Sequence, residues 1–340
     1  MKIGILTSGG DCPGLNAVIR GAVMKGDRIY GHTFFGIRDG WRGLVDDDLH
    51  PLSRHDVRGL SRQGGSILHT SRTSPFDHGG SERVKEVMDR HGMDALIAVG
   101  GEGTLTVARL LHEEGINVVG VPKTIDNDLS ATDYTFGFDT AVAIATEPID
   151  RLRTTGESHH RCMVVEVMGR RVGWIALHAG LASGAHVILV PEVQVSMEEI
   201  TGWVLSAQAR GRAPVVVVAE GFRPTGHEEV VATRGLDAFG RPRLGGIGDQ
   251  MALDLQERTS IETRSTVLGH LQRGGVPTAF DRVLATRFGA AAVDTVSNRT
   301  WGTMVALSGI DIRAVPLHQA TSELKVVPRH RYDEAAILFG

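Results

Sequence analysis

The stretch Asp94–Asp128, DALIAVGGEGTLTVARLLHEEGINVVGVPKTIDND, decides the fold. Ala95 to Val99 is an unbroken apolar run that stops at Gly100-Gly101-Glu102-Gly103-Thr104. Leu105, Val107, Ala108, Leu110 and Leu111 then recur at helical spacing. A second apolar run, Ile116 to Val121, ends in Pro122-Lys123-Thr124-Ile125-Asp126-Asn127-Asp128. This pattern predicts a strand, a crossover helix and a second strand. Such crossovers are right-handed, so the two strands are parallel and both loops lie at the carboxyl end of the sheet. Open α/β sheets bind their ligands there. One loop suits phosphates; the other carries two carboxylates and a lysine.

Upstream, Lys2 to Leu6 predicts a buried strand, followed by Gly9-Gly10-Asp11-Cys12-Pro13-Gly14 and a helix through Leu15, Val18, Ile19, Ala22 and Val23. A glycine turn between strand and helix lets backbone N–H groups approach a phosphate with no Cβ in the way. It also serves as an ordinary tight connection. No GxxxxGK[ST] occurs, which argues against a Walker-type NTPase. His32 to Ile37 predicts a strand ending at Asp39-Gly40-Trp41, where Trp41 either covers an adenine ring or fills the domain edge. Gly64 to Arg72 is a further glycine turn, and Arg72 is a candidate bidentate phosphate clamp.

Downstream, a long helix is expected over Tyr134 to Leu152, then strands Cys162 to Val167, His186 to Val190, Pro214 to Ala219 and Thr263 to Leu268, with helices between them. Phe222 to Gly248 predicts a loop or hairpin excursion. Helices follow over Asp249 to Arg258 and Phe280 to about Val296, with a strand at Met304 to Leu307. The expected fold is α/β, with two similar doubly wound, mostly parallel-sheet (Rossmann-like) domains and a cleft between them. The expected division is 1–137 plus 276–322, then 138–275, with 323–340 as a tail in which no motif is legible.

The 340-residue length favours about two domains. Hydrophobic content of 41% and charged content of 22% fit a globular chain, and the apolar runs fall far short of a membrane span. A net charge of −4, no basic run and 5% aromatics argue against a nucleic-acid surface. Ser8-Gly9-Gly10 arrives too early for a signal-peptide pattern, so a cytoplasmic location is expected. Cys12 and Cys162, without a CxxC, suggest buried fillers rather than a disulfide or zinc site.

The polar residues gather at strand ends. The first half contributes glycine loops, Glu102, Lys123, Thr124, Asp126 and Asp128; the second contributes Arg161, Arg170, Glu220, Arg264, His270 and Arg273. Glycine loops with carboxylates suit a nucleotide carrying Mg²⁺. Arginines and a histidine suit a phosphorylated acceptor. With no nucleophile–base pair, direct phosphoryl transfer is the natural chemistry, governed by positioning and charge neutralisation. Asp126 is placed to take a hydroxyl proton, although Thr-Ile-Asp-Asn-Asp also reads as an Asx-rich turn.

The motifs TSGGDCPGLNAVIRG, GGSILHTSR, GGEGTL, PKTIDND, EVMGR, VVVVAEGF and ETRSTVLGHLQRGG, in this order from about Leu6 to Val296, resemble those of the 6-phosphofructokinases. The resemblance implies Mg²⁺-assisted transfer of the γ-phosphoryl group of ATP, a co-substrate, to the 1-hydroxyl of fructose 6-phosphate, a glycolytic step. It implies that Gly10, Arg72, Gly101, Glu102, Gly103 and Thr104 hold the ATP phosphates. Glu102 would approach the metal, with Asp128 acting on it indirectly. Asp126 would be the general base, with Thr124 and Arg170 steadying the transferred group. Met168, Gly169, Glu220, His270 and Arg273 would bind the sugar phosphate. Arg161 and Arg264 would reach it across a subunit boundary, implying a homo-oligomer, commonly a tetramer in bacterial members.

The chain departs from the family pattern at three places. Position 102 is Glu where common bacterial ATP enzymes have Asp. Gly103 matches ATP users, because the Asp of pyrophosphate users would fill the α-phosphate's space, whereas Lys123 matches pyrophosphate users. On the steric argument ATP is the expected donor, with pyrophosphate the alternative. Third, Arg20, Lys25, Arg54 and Arg153 match the basic residues of the family's regulatory nucleotide site, but His186 stands where an acidic contact is usual. A different class, a nucleotide-binding sensor or a relative of the lipid and NAD kinases, shares a GGEGT-like loop but lacks the MGR and GHLQRGG elements.

Overall fold

A computed structural model describes residues 1–226, 231–236, 242–244 and 246–340 of the chain. Its strands are β1 (Lys2–Thr7), β2 (Thr33–Ile37), β3 (Leu49–Leu52), β4 (Ala95–Gly100), β5 (Val118–Thr124), β6 (Phe136–Gly137), β7 (Cys162–Val167), β8 (Val187–Leu189), β9 (Val215–Ala219), β10 (Val231–Leu236), β11 (Pro242–Leu244), β12 (Thr263–Val267), β13 (Thr303–Ser308) and β14 (Asp311–Pro316). The chain divides into two compact units. One comprises Met1–Thr140 and Arg273–Leu324, the other Ala141–Gln272 and Lys325–Gly340.

The first unit holds one sheet in the order β14-β13-β5-β4-β1-β2-β3, with β6 added beside β5. Strands β2, β1, β4, β5 and β13 run parallel, and the edge strands β3 and β14 run antiparallel to their neighbours. All six residues of β4 are buried, as a parallel strand covered on both faces requires. The crossover helix Glu102–Glu113 buries Thr104, Leu105, Ala108 and Leu111 on one face. The β4–helix–β5 reading of Asp94–Asp128 therefore describes the molecule. β5 begins at Val118, two residues after the sequence expectation, because Ile116 belongs to the turn that closes the helix, its N–H bonding Leu111 O.

The second unit is built on an all-parallel sheet in the order β12-β7-β9-β8. β10 and β11 form a separate antiparallel pair within the expected Phe222–Gly248 excursion; the rest of that reading at 227–230, 237–241 and 245 lies outside the described residues. Glu192 and Trp174 explain where the tail goes. The Glu192 carboxylate accepts from the N–H groups of Gly173 and Val327, and Trp174 Nε1 donates to Lys325 O at 2.8 Å.

Several local expectations are corrected. The long helix runs from Phe138 to His159, not Tyr134 to Leu152, because Phe136-Gly137 pairs with β5 and Gly137 has φ of +96°. Trp41 is 1% exposed and packs in the apolar core with Leu6, Ile37 and Leu44, so it fills the domain rather than covering a ligand ring. The two cysteines are free and buried; burial pushes the Cys162 thiol up to about 12 and the Cys12 thiol higher still, which leaves both inert. Among the described residues no helix is long and apolar enough to cross a membrane.

Candidate active site

Three neighbouring strands of the first unit, β5, β4 and β1, end side by side. Each feeds one of the loops singled out in the sequence. The turn after β1 is fixed from several sides. Ser8 N–H bonds Val99 O and Gly9 N–H bonds Ser71 O, both at 2.9 Å, while Thr70 Oγ1 donates to Gly9 O at 2.6 Å. The Gly64–Arg72 segment thus lies against the Gly9–Gly10 turn, and Arg72 itself is exposed.

After β4, Gly101 starts the crossover helix without any side-chain cap, and Glu102 and Gly103 are exposed in its first turn. Uncapped N–H groups at a helix start, helped by the helix dipole, are donors for an anion. A Cβ placed on Gly103 would meet nothing within 4 Å. The protein itself therefore does not demand glycine there.

After β5, Lys123 is buried, at 5% exposed, and its amine donates to Gly10 O. It lies 3.4 Å from where a Cβ of Gly9 would stand, with Thr104 Oγ1 at 3.6 Å from the same point. Burial holds the Lys123 ammonium below the usual lysine range; the Asp128 and Asp11 charges act the other way, and the nearby Arg273 adds to the lowering. Thr124 Oγ1 accepts from Asp126 N–H at 3.1 Å, and Thr135 Oγ1 donates to Thr124 O at 2.7 Å. Asn127, with φ of +53°, is buried and its Oδ1 accepts from Thr135 N–H. That arrangement leaves Asp126 and Asp128 partly exposed on either side of it.

Arg273, read from the sequence as a sugar-phosphate residue, clusters with the first unit. A Cβ on Gly10 would overlap its Nη1. The structure thus brings Gly10, Thr104, Lys123 and Arg273 together.

In the second unit, Met168-Gly169-Arg170 follows β7 and Glu220 follows β9. Gly169 has φ of +140°, and a Cβ there would come 2.6 Å from Val172 O. Glu220 N–H bonds Val167 O at 2.9 Å and Gly221 N–H bonds Gly169 O at 3.0 Å, so the two loops form one piece. Gln272, fully buried, was missed in the sequence. Its Oε1 accepts from Met168 N–H at 3.3 Å and its Nε2 donates to Gly269 O at 3.1 Å. It joins the loop after β7 to the turn bearing His270, which is exposed. Glu166, at the end of β7, is also buried and accepts from Gly246 and Gly248 N–H at 3.0 and 2.8 Å.

Arg161 and Arg264 do not join these residues. They stand at the amino ends of β7 and β12, where both pair with Glu262. Five to seven residues of extended strand, roughly 17–23 Å, separate them from Met168 in the same chain. Of the regulatory-site candidates, Arg20 and Arg54 line a cavity of about 470 Å³ with Arg28, His55 and Arg58. Lys25 instead pairs with Asp294, and Arg153 donates to Ser183 and Gly184 carbonyls. His186 is buried and its Nδ1 accepts from Val215 N–H at 3.1 Å.

Glycine turns, a buried lysine and a partly exposed carboxylate at adjoining strand ends are the kinds of group that phosphoryl transfer uses. The phosphofructokinase family profile matches residues 2–296. The chain belongs to the phosphofructokinase family. It is therefore a phosphotransferase. It is 59% identical over 341 residues to the pyrophosphate–fructose 6-phosphate 1-phosphotransferase of Amycolatopsis methanolica, covering 100% of both chains. It is 51% identical to ATP-dependent 6-phosphofructokinase 3 of Streptomyces coelicolor, covering 98% of this chain and 99% of that one. Its fold matches the crystal structure of Pichia pastoris phosphofructokinase in the T-state with a TM-score of 0.83 at 33% identity, over 99% of this chain and 36% of the yeast one.

Among the described residues no group of three or more His, Cys, Asp or Glu side chains is arranged to hold a metal ion. The separate carboxylates Glu102, Asp126 and Asp128 suit Mg²⁺ instead, which keeps several waters and is held through one or two carboxylates and the substrate's phosphates.

Proposed function

We propose that the chain transfers a phosphoryl group from pyrophosphate to the 1-hydroxyl of fructose 6-phosphate, giving fructose 1,6-bisphosphate. The observation that carries the donor is the buried Lys123 amine on Gly10 O, with Arg273 against the same glycine. Two cations at one turn suit a donor whose charge is packed into two phosphates. The 59% full-length likeness to a protein named for that donor supports the same reading. ATP is the second reading. It is favoured by the open space at Gly103, which leaves room for an α-phosphate, and by the 51% likeness to an ATP-dependent enzyme.

In this reading Asp126 takes the proton of the acceptor hydroxyl, and the N–H groups of Gly10 and of Gly101 to Thr104 hold the donor's phosphates, aided by Arg72. Thr124 and Arg170 steady the group in flight. Met168, Gly169, Glu220, His270 and Arg273 hold the sugar phosphate. Mg²⁺, carried with the donor near Glu102 and Asp128, would neutralise phosphate charge. Residues 1–140 and 273–324 make up the donor domain, and 141–272 the acceptor domain. Arg161 and Arg264, remote from Met168 in their own chain, serve the acceptor site of a second copy, which makes the enzyme a homo-oligomer. Turnover with saturating fructose 6-phosphate and each donor in turn tests the proposal. Pyrophosphate turnover well above ATP turnover is expected; the reverse ratio selects the second reading.

A further inference from the structure

We infer that Glu192 is a positioning residue for the acceptor: its carboxylate, bonded at once to Gly173 N–H and Val327 N–H, holds the far end of the Met168–Arg170 loop on the segment that starts at Lys325 and makes that segment part of the acceptor site. The inference rests on the reading of Met168, Gly169 and Glu220 as acceptor residues and adds what keeps them in place.

The loop from Met168 to Gly173 joins β7 to the helix Trp174–Ala182. It has little slack. A Cβ on Gly169 would come 2.6 Å from Val172 O, one on Gly221 would overlap Arg170 O, and one on Gly173 would overlap Val190 Cβ. The loop is therefore packed against the residues that follow β9 and β8. Its Met168 end is set by Gln272. Its Gly173 end is set by Glu192, both of whose oxygens accept from Gly173 N–H, at 3.0 and 3.1 Å. Gly173 is the N-cap of the helix, so the carboxylate also lies at the positive end of the helix dipole.

Glu192 Oε1 accepts a second bond, from Val327 N–H at 2.9 Å. Two residues earlier, Lys325 O accepts from Trp174 Nε1 at 2.8 Å. The segment thus holds Gly173 and Trp174 twice, once through Glu192 and once directly. Farther along it, Val327 and Tyr332 are buried, and Tyr332 OH donates to Ile188 O of β8 at 3.0 Å. Glu192 is itself half-buried. Burial pushes its carboxyl above the usual range, and the N–H groups of Val327 and Gly173 pull it back. Hydrogen bonds to an ionised group are about twice as strong as neutral ones, and here one oxygen shares them between the loop and the segment.

The test combines KM for fructose 6-phosphate, measured with whichever donor the parent chain turns over, with calorimetric titration of that donor. Glu192→Ala is expected to raise this KM by about tenfold or more, the loss of a charge-assisted anchor, with donor affinity at the parent value. Glu192→Asp, too short to meet both N–H groups, carries the same expectation should the alanine variant fail to fold. Glu192→Gln keeps an oxygen that can accept from both and should restore most of the parent KM. Val327→Pro removes the segment's donor while leaving Glu192 and the loop unaltered in sequence, and should raise KM as Glu192→Ala does. A fall in Tm with unchanged KM in Glu192→Ala would reduce the carboxylate to ordinary packing and overturn the proposal. Unchanged KM in Val327→Pro would overturn it as well, by detaching the segment from the acceptor. Glu220→Ala checks the underlying reading separately. If it raises KM and Glu192→Ala does not, the proposal alone fails. If Glu220→Ala keeps the parent KM, or the parent chain turns over no fructose 6-phosphate with either donor, the acceptor reading fails and the proposal with it.

Discussion

The amine of Lys123 donates to the carbonyl of Gly10 and so ties the end of β5 to the turn after β1, two strands away. The bond brings a buried charge against that glycine turn. Burial holds that ammonium below the ordinary lysine value, so its proton leaves at a pH under 10.5. The sign follows directly. The unfolded chain keeps this proton more tightly than the folded one, so folding stability rises with pH through the interval between the two pKa values. Donor affinity goes the other way, because the neutral amine no longer attracts phosphate. Donor titrations across alkaline pH should show affinity falling below pH 10.5 in the parent chain. Lys123→Met should bind donor about tenfold or more weakly at neutral pH and lose that alkaline limb. A limb that persists in the variant assigns it to another group.

Gly103 separates protein constraint from ligand constraint. Its Cβ direction is open, and an acidic residue in the first turn of a helix is favoured by the dipole. Gly103→Asp should therefore melt within a few degrees of the parent chain. Any large loss with ATP then comes from the space the carboxylate takes from the α-phosphate. Pyrophosphate turnover should change far less. Unchanged ATP kinetics would remove steric exclusion as the basis of donor choice.

Asp126 and Asn127 divide the work of the loop after β5. The buried Asn127 amide fixes the backbone through Thr135, which leaves the Asp126 carboxylate partly exposed at the strand end. Asp126→Ser keeps a short polar side chain without the base. It should lower kcat by roughly 10²–10⁴-fold, the usual worth of a general base, with little change in thermal stability. Retention of full activity would require the base to be sought elsewhere.

The sequence made the first unit's sheet and its loops legible because β4 and the Val118–Val121 part of β5 are unbroken non-polar runs followed by glycine or Asx punctuation. The edge strands β3 and β14 were not, since Leu49–Leu52 contains proline and histidine and Asp311–Pro316 has an exposed face. Periodicity could place Arg273 at a strand end but not on Gly10, because the contact depends on where the chain passes from one unit to the other. Gln272 was invisible for a different reason. A glutamine just before an arginine and two glycines reads as surface, and only burial with both amide ends bonded shows otherwise. Glu262 was passed over likewise, although it neutralises both Arg161 and Arg264.

Asp281 gives a stability prediction independent of catalysis. It lies in the first turn of the helix Ala279–Ser297, fully buried, with Oδ2 accepting from Thr140 N–H at 2.8 Å and from its hydroxyl at 2.5 Å. Burial raises its pKa to about 6 against the hydrogen bonds from Thr140. A raised carboxyl pKa means the folded chain holds the proton more tightly, so the favourable contribution is complete below pH ~4 and is lost as pH rises to about 6. The penalty at neutral pH is at most about 3 kcal/mol. Asp281→Asn keeps an acceptor for Thr140 without the charge. It should flatten the pH dependence of Tm over that interval, whereas Asp281→Ala should lose stability at every pH.

Gln272 is predicted to act as a positioning residue for the acceptor loops. Its two amide atoms hold Met168 N–H and Gly269 O at once from a fully buried side chain. Gln272→Leu abandons both, at about 1–3 kcal/mol for each unsatisfied group, and should raise KM for fructose 6-phosphate while leaving donor affinity near the parent value. Gln272→Glu discriminates positioning from mere packing. Its carboxylate can still accept from Met168 but meets Gly269 O as a second acceptor, until protonation restores the missing donor. The KM for fructose 6-phosphate of that variant should therefore improve as pH is lowered, relative to the parent chain at the same pH. A purely structural glutamine would give a change in Tm with no such pH-dependent recovery.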